Sequence, residues 1–147
     1  MGEALPEFDL SRFLPYRMVE AAERLSDGFS EVYRKEFGLS RAEWRVLAHV
    51  ADAGAVSVRD VHLRVRVEKS KASRAATKLE AAGYLVKRVN AVDRRLVALE
   101  LTDTGQALMA RLLPRATAYQ AEVEQLLGAH LAGLEAALRV LERESDN

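Results

Sequence analysis

The chain has 147 residues, 49% of them apolar and 30% charged, which fits one domain with a sizeable core and excludes a disordered chain or a multidomain enzyme. Lys and Arg (22) balance Asp and Glu (22), and cysteine is absent, so disulfides, thiolate metal sites and Cys nucleophiles are excluded. The zero net charge hides a segregation: residues 55–95 hold eleven Lys/Arg against four acids, leaving the flanks with eleven cations against eighteen acids, a basic middle suited to a polyanion.

From Leu14 the apolar positions Met18, Ala22, Leu25, Phe29, Val32 or Tyr33, and Phe37 recur at three and four, which predicts a long amphipathic helix ending at Gly38. Pro15 falls either in its first turn or between it and a short leading piece. Ser40 and Glu43 form a capping-box pattern that starts a second helix carrying Trp44, Leu47, Ala48 and Ala51, which stops at Ala53-Gly54. Ser57 is expected to cap a third helix over 58–65, and a fourth is expected over 69–82, with Gly83 as its stop. Residues 84–90 and 95–101 are rich in Val and Leu and read as an antiparallel hairpin turning at Ala91-Val92-Asp93-Arg94. Thr102 caps a fifth helix with Leu108, Leu112, Tyr119, Val123 and Leu126 or Leu127 along one stripe; Pro114 is expected to kink it and Gly128 to end it. The last helix carries Leu131, Leu134, Leu138 and Leu141.

Helix, helix, helix and then a two-stranded ribbon is the order of a winged helix-turn-helix, so the fold class expected is mainly α with that motif between long terminal helices. On the fourth helix Lys71, Arg74 and Lys78 share a face, Ser70, Ser73 and Thr77 adjoin it, and Ala72, Ala75 or Ala76, and Leu79 lie opposite. Long cations neutralise phosphates, Arg reads guanine and hydroxyls donate to phosphate oxygens, so the face suits double-stranded DNA. The plainer alternative is a solvated polar face, which the basic hairpin that follows disfavours. A winged-helix core has no free face for both terminal helices, and a second copy of the chain resolves the surplus. His49, His62 and His130 have no metal-ligand spacing, no nucleophile or phosphate-loop motif occurs, and neither a metal, a cofactor nor an enzyme activity is expected. No apolar run reaches the roughly 20 residues that span a bilayer, and the N-terminus lacks a signal-peptide pattern; a cytoplasmic protein without a membrane partner is expected.

Three runs carry a family resemblance: Leu-Ser-Arg-Ala-Glu-Trp-Arg-Val-Leu at 39–47, Lys-Ala-Ser-Arg-Ala-Ala-Thr-Lys-Leu-Glu-Ala-Ala-Gly-Tyr-Leu-Val at 71–86, and Asp-Arg-Arg-Leu-Val-Ala-Leu-Glu-Leu-Thr-Asp-Thr-Gly at 93–105. Together they resemble the MarR family of bacterial transcriptional regulators. The resemblance implies a homodimer in which residues 1–37 and 103–147 form an intertwined helical dimerisation region around a DNA-binding domain at 38–102. It implies a regulator, a repressor by expectation, on a pseudo-palindromic operator and released by a small aromatic ligand. It further implies that Arg95 enters the minor groove while Asp93 holds its guanidinium; the plainer alternative is an ion pair that merely closes a surface turn. Arg94 beside them is read only as a phosphate contact. By the same resemblance Arg17, Trp44 and His49 line a ligand cleft, against the plainer reading of Trp44 as core and Arg17 as a solvated cation. A function from another class is a winged-helix interaction module whose basic face binds an acidic protein partner.

Overall fold

Pro15 stands in the first turn of α1 (Leu14–Glu31), where its missing N–H costs no helical hydrogen bond. The short leading piece is a 3-10 turn, Leu10–Arg12, capped by the Asp9 carboxylate. In the computed structural model, which describes residues 2–145, the first helix is not one regular element. It is α-helical to Glu31 and then widens into a π-helical turn over Val32–Glu36, with Gly38 in the left-handed region at φ 65°.

Ser40 caps α2 (Arg41–Ala53) by accepting from the Glu43 N–H at 3.1 Å, which satisfies one of the first-turn donors. Gly54, at φ 81°, ends it. The third helix departs from expectation. Val56–Ser57 form a strand, β1, and α3 covers only Val61–Val65, so Ser57 is not its cap. The reason is tertiary: β1 pairs with the chain at Ala98 and Leu99, giving the buried Val56 backbone partners that a helix starting at 58 would forfeit. α4 (Lys69–Ala81) buries Ala72, Ala75, Ala76 and Leu79, the face that its spacing predicts.

The hairpin strands, β2 (Leu85–Val89) and β3 (Val97–Leu101), are shorter than read, and residues 90–96 form the turn. Asn90 causes this: its Oδ1 accepts from the Val92 and Asp93 N–H groups at 2.8 and 3.0 Å, an Asx turn that takes the chain out of the ladder early. The sheet order is β1-β3-β2, all antiparallel. Thr102 caps α5 (Asp103–Leu127), which continues through Pro114. Gly128 ends it at φ 53°, and a single 3-10 turn leads into α6 (Leu131–Ser145).

The core sits between α2, α4, the sheet and the first half of α5, with Val46, Leu47, Val50, Leu79, Leu85, Leu99 and Leu112 sealed from solvent. Gly105 lets α5 press against the sheet, because a Cβ there would lie 2.1 Å from the Tyr84 carbonyl oxygen. Ion pairs Arg41–Asp27 and Arg115–Glu36, both 2.7 Å, link α1 and the π-turn to this lobe.

Candidate nucleic-acid interface

Because Ala72, Ala75, Ala76 and Leu79 pack inward, the polar side of α4 faces solvent: Ser70, Lys71, Ser73, Arg74, Thr77 and Lys78 are all exposed. They do not form one uniform stripe. Ser73 and Thr77, four residues apart, join Lys69, Arg59 and His62 and the β2 residue Lys87 around a hollow of about 270 Å³. Lys69, Ser73 and Thr77 are spaced at four, a second helical row that the sequence contains beside Lys71, Arg74 and Lys78. Lys87 joins through the sheet register, which sets it opposite Leu99.

Two of the expected contact residues on α4 have partners within the chain. Ser70 Oγ donates to the Glu68 carboxylate. Lys78 Nζ lies 3.9 Å from the carboxylate of Glu43, which is only 7% exposed, so Lys78 also serves a buried charge on α2. Lys71 and Arg74 have no ion pair among the described residues.

The wing tip is built from its turn. With Asn90 holding the Val92 and Asp93 amides, the Asp93 carboxylate accepts from Arg95 at three points: Nε at 3.0 Å, a terminal nitrogen at 3.0 Å and the backbone N–H at 3.1 Å. These bonds hold the Asp93 carboxyl below its usual range and raise the Arg95 guanidinium. The Arg95 side chain is nonetheless 85% exposed. A charged cation is thus held in one bidentate geometry at the exposed turn of the ribbon. Arg94 is exposed beside it, and at the ribbon's base Arg88 pairs across the strands with Glu100 at 2.7 Å.

The three residues assigned to a ligand cleft are not assembled within one chain. Trp44 is half-buried, with its ring stacked on Tyr33 and edge-on to Phe29, centroids 6.0 and 5.1 Å apart. His49, also half-buried, has its imidazole pKa pulled down by burial and by the Arg64 charge. Arg17 lies on the exposed face of α1, in a shallow hollow with Ser11, Tyr16, Glu20 and Arg24 that neither Trp44 nor His49 lines. Among the described residues no helix is long and apolar enough to cross a membrane.

This geometry has relatives. A MarR family model matches residues 37–96, from the approach to α2 through the wing turn. The HTH-type transcriptional repressor MdtR of Bacillus subtilis is 30% identical over 105 residues, covering 64% of this chain and 65% of the relative. The chain spans about 63–65% of the length of the curated relatives it matches first. A MarR family transcriptional regulator from Silicibacter pomeroyi superposes with a TM-score of 0.75 at 26% identity, over 97% of this chain and 94% of that one. Bordetella bronchiseptica BpsR, whose DNA binding is regulated by 6-hydroxynicotinic acid, superposes with a TM-score of 0.77 at 23% identity, over 97% of this chain and 99% of the other. Residues 37–96 thus match the MarR family from α2 through the wing turn, and the chain as a whole is similar in fold to MarR family transcriptional regulators.

Proposed function

We propose that this protein is a homodimeric regulator that binds a pseudo-palindromic DNA operator, placing α4 in the major groove and the wing tip in the flanking minor groove, and represses by occupying that site. The observation that carries this is the pairing of an exposed Lys71–Arg74 face on α4 with an Arg95 already fixed by Asp93 at the wing tip. Lys71 and Lys78 neutralise phosphates, Arg74 reads a base edge, and Arg95 gains from the concentrated negative potential of a narrow minor groove.

The dimer is supported by apolar surface left on the terminal elements. Leu14 is 60% exposed, Val19 57%, Leu126 81% and Val140 56%, and Leu25, Val123, Leu127 and Leu134 line a groove of about 470 Å³ between α1, α5 and α6. A second copy covering these surfaces sets residues 1–37 and 103–147 as the dimerisation region and 38–102 as the DNA-binding domain. Two recognition helices then fall about one helical turn, ~34 Å, apart on an inverted repeat.

Footprinting the DNA upstream of the protein's own gene tests the proposal. Protection of an inverted repeat is expected, and an unprotected segment together with tight binding to an acidic protein would favour the interaction-module alternative. Control by an aromatic carboxylate is supported by the ligand of BpsR and enlists Arg17, Trp44 and His49. Since Arg17 stands apart from the other two within a chain, this pocket requires the dimer. A ligand releases DNA only if it binds the spacing that misfits the groove more tightly. Titrating aromatic carboxylates, 6-hydroxynicotinic acid included, into the operator complex of the parent and of Arg17→Ala should show release that the variant blunts.

A further inference from the structure

Among the described residues five have a left-handed backbone, and four of them are glycines: Gly38, Gly54, Gly83 and Gly128. The fifth is Arg66, at φ 53° and ψ 48°, in the turn that joins α3 to α4. This conformation is unfavourable for a residue with a Cβ and costs glycine nothing. Among the described residues glycine thus stands at every other positive φ, and not here.

Nothing in the local structure requires an arginine side chain. The bond that closes α3 runs from the Arg66 backbone N–H to the His62 carbonyl, and any residue but proline makes it. The side chain is exposed and has no ion pair among the described residues. The nearest acid in sequence, Glu68, already accepts from Ser70. A strained backbone kept for an idle, solvated cation points to a role outside the fold.

Its place in the motif indicates the role. In a helix-turn-helix the first helix crosses the phosphate backbone and the N-terminal end of the second enters the groove. Arg66 lies where the chain passes from one to the other, with Arg64 before it and Lys69 and Lys71 after it. We propose that Arg66 is a phosphate contact of the DNA complex, and that the left-handed turn is retained with arginine because it carries that contact. This rests on the DNA-binding function proposed above and adds to it a residue at the helix-turn-helix turn.

The test compares Arg66→Gly and Arg66→Lys with the parent on two duplexes, one random in sequence and one from upstream of the protein's own gene, across a salt series. Arg66→Gly should weaken both complexes severalfold and make the slope of log affinity against log salt shallower by about one, as loss of a single phosphate contact does. Its melting temperature should equal or exceed the parent's, because glycine relieves the turn. Arg66→Lys should keep the parental slope. A glycine variant that binds with parental affinity and slope overturns the assignment, and so does one that melts well below the parent, which would make the side chain a structural one. A parent that binds neither duplex overturns the DNA-binding function itself together with this contact.

Discussion

Two regions of this chain carry the same kind of apolar periodicity and use it differently. In the lobe from α2 to the start of α5 the periodic residues are spent inside the chain: Val46, Leu47, Val50 and Leu99 reach zero exposure. On the terminal helices, residues at equally regular spacing stay in solvent, Leu126 at 81% and Leu14 at 60%. Periodicity says which face is apolar, and only the surrounding elements say what covers it. The lobe has a helix or strand against each apolar face; α1 and α6 have too few neighbours within one copy. Stability of the lobe should therefore be a property of the chain, and that of the terminal helices a property of concentration.

The largest effect that sharpens this contrast is a cavity in the lobe. Leu47→Ala removes a fully buried side chain between α2 and its neighbours and should cost about 2–5 kcal/mol, equally at low and high protein concentration, by denaturant titration. Leu126→Glu on an exposed position should leave that midpoint nearly unchanged in the monomer but abolish dimerisation, read as a mass near 16.3 kDa by sedimentation. If the parent itself sediments as a monomer at micromolar concentration, the contrast fails.

Gly105→Ala comes next. Its Cβ would fall 2.1 Å from the Tyr84 carbonyl oxygen, and backbone has little room to yield, so about 1–3 kcal/mol of overpacking cost is expected. By comparison, a Cβ on Gly28 would meet Tyr119 Oη at 2.4 Å, the far end of a side chain whose hydroxyl donates to the Leu25 carbonyl at 2.6 Å. Gly28→Ala should displace the ring at a smaller cost. Equal losses in the two variants would mean that α1 and α5 pack as rigidly as the lobe does.

How much of this was legible in the sequence follows from element length. α2, α4 and α5 are long enough to repeat their pattern several times, and their caps at Ser40 and Thr102 are side-chain signals a few residues away. β1 has two residues, too few for any period, and exists only because Leu99 and Ala98 offer it a partner. The π-turn at Val32–Glu36 keeps the spacing of an α-helix closely enough to be read as one. The wing carries its chemistry in sequence, since Asp93 and Arg95 stand two residues apart, whereas Asn90 acts on backbone amides and has no side-chain partner among the described residues to signal it. The hollow shared by Arg59, Lys69, Ser73 and Lys87 joins two helices and a strand, which no local pattern reports.

At the proposed interface the contrast lies between a cation with no ion pair among the described residues and one that has a partner in the fold. Lys71→Ala should weaken binding to every sequence and lower the salt slope by about one, with no change in melting. Lys78→Ala should do the same and also lower stability slightly, because Glu43 loses its partner; at 3.9 Å and with the lysine exposed, this is worth under about 1 kcal/mol. Arg95→Ala should reduce operator affinity without altering fold or dimer, and Asp93→Ala should give part of the same loss by freeing the guanidinium. Two variants that footprint like the parent would leave the Asp93–Arg95 fork as turn closure alone.

The smallest effect is in the lobe's pH response. His49 is held below its ordinary pKa, first by burial and then by the Arg64 charge. The unfolded chain therefore takes up a proton at His49 at a higher pH than the folded one does. Between those two values the unfolded state binds more protons, so the histidine's contribution to stability is complete above the ordinary histidine range and is lost as pH falls through and below it. Melting of the parent should drop more between pH 7.5 and 5.5, about one unit either side of an ordinary histidine, than melting of His49→Gln. The difference should persist at dilutions that separate the two copies, since Arg45, Asp52 and Arg64, the charges acting on His49, all belong to α2 and α3. A difference that vanishes on dilution would instead place His49 at the surface the two copies share, and would move the boundary between the self-sufficient lobe and the dependent helices into α2.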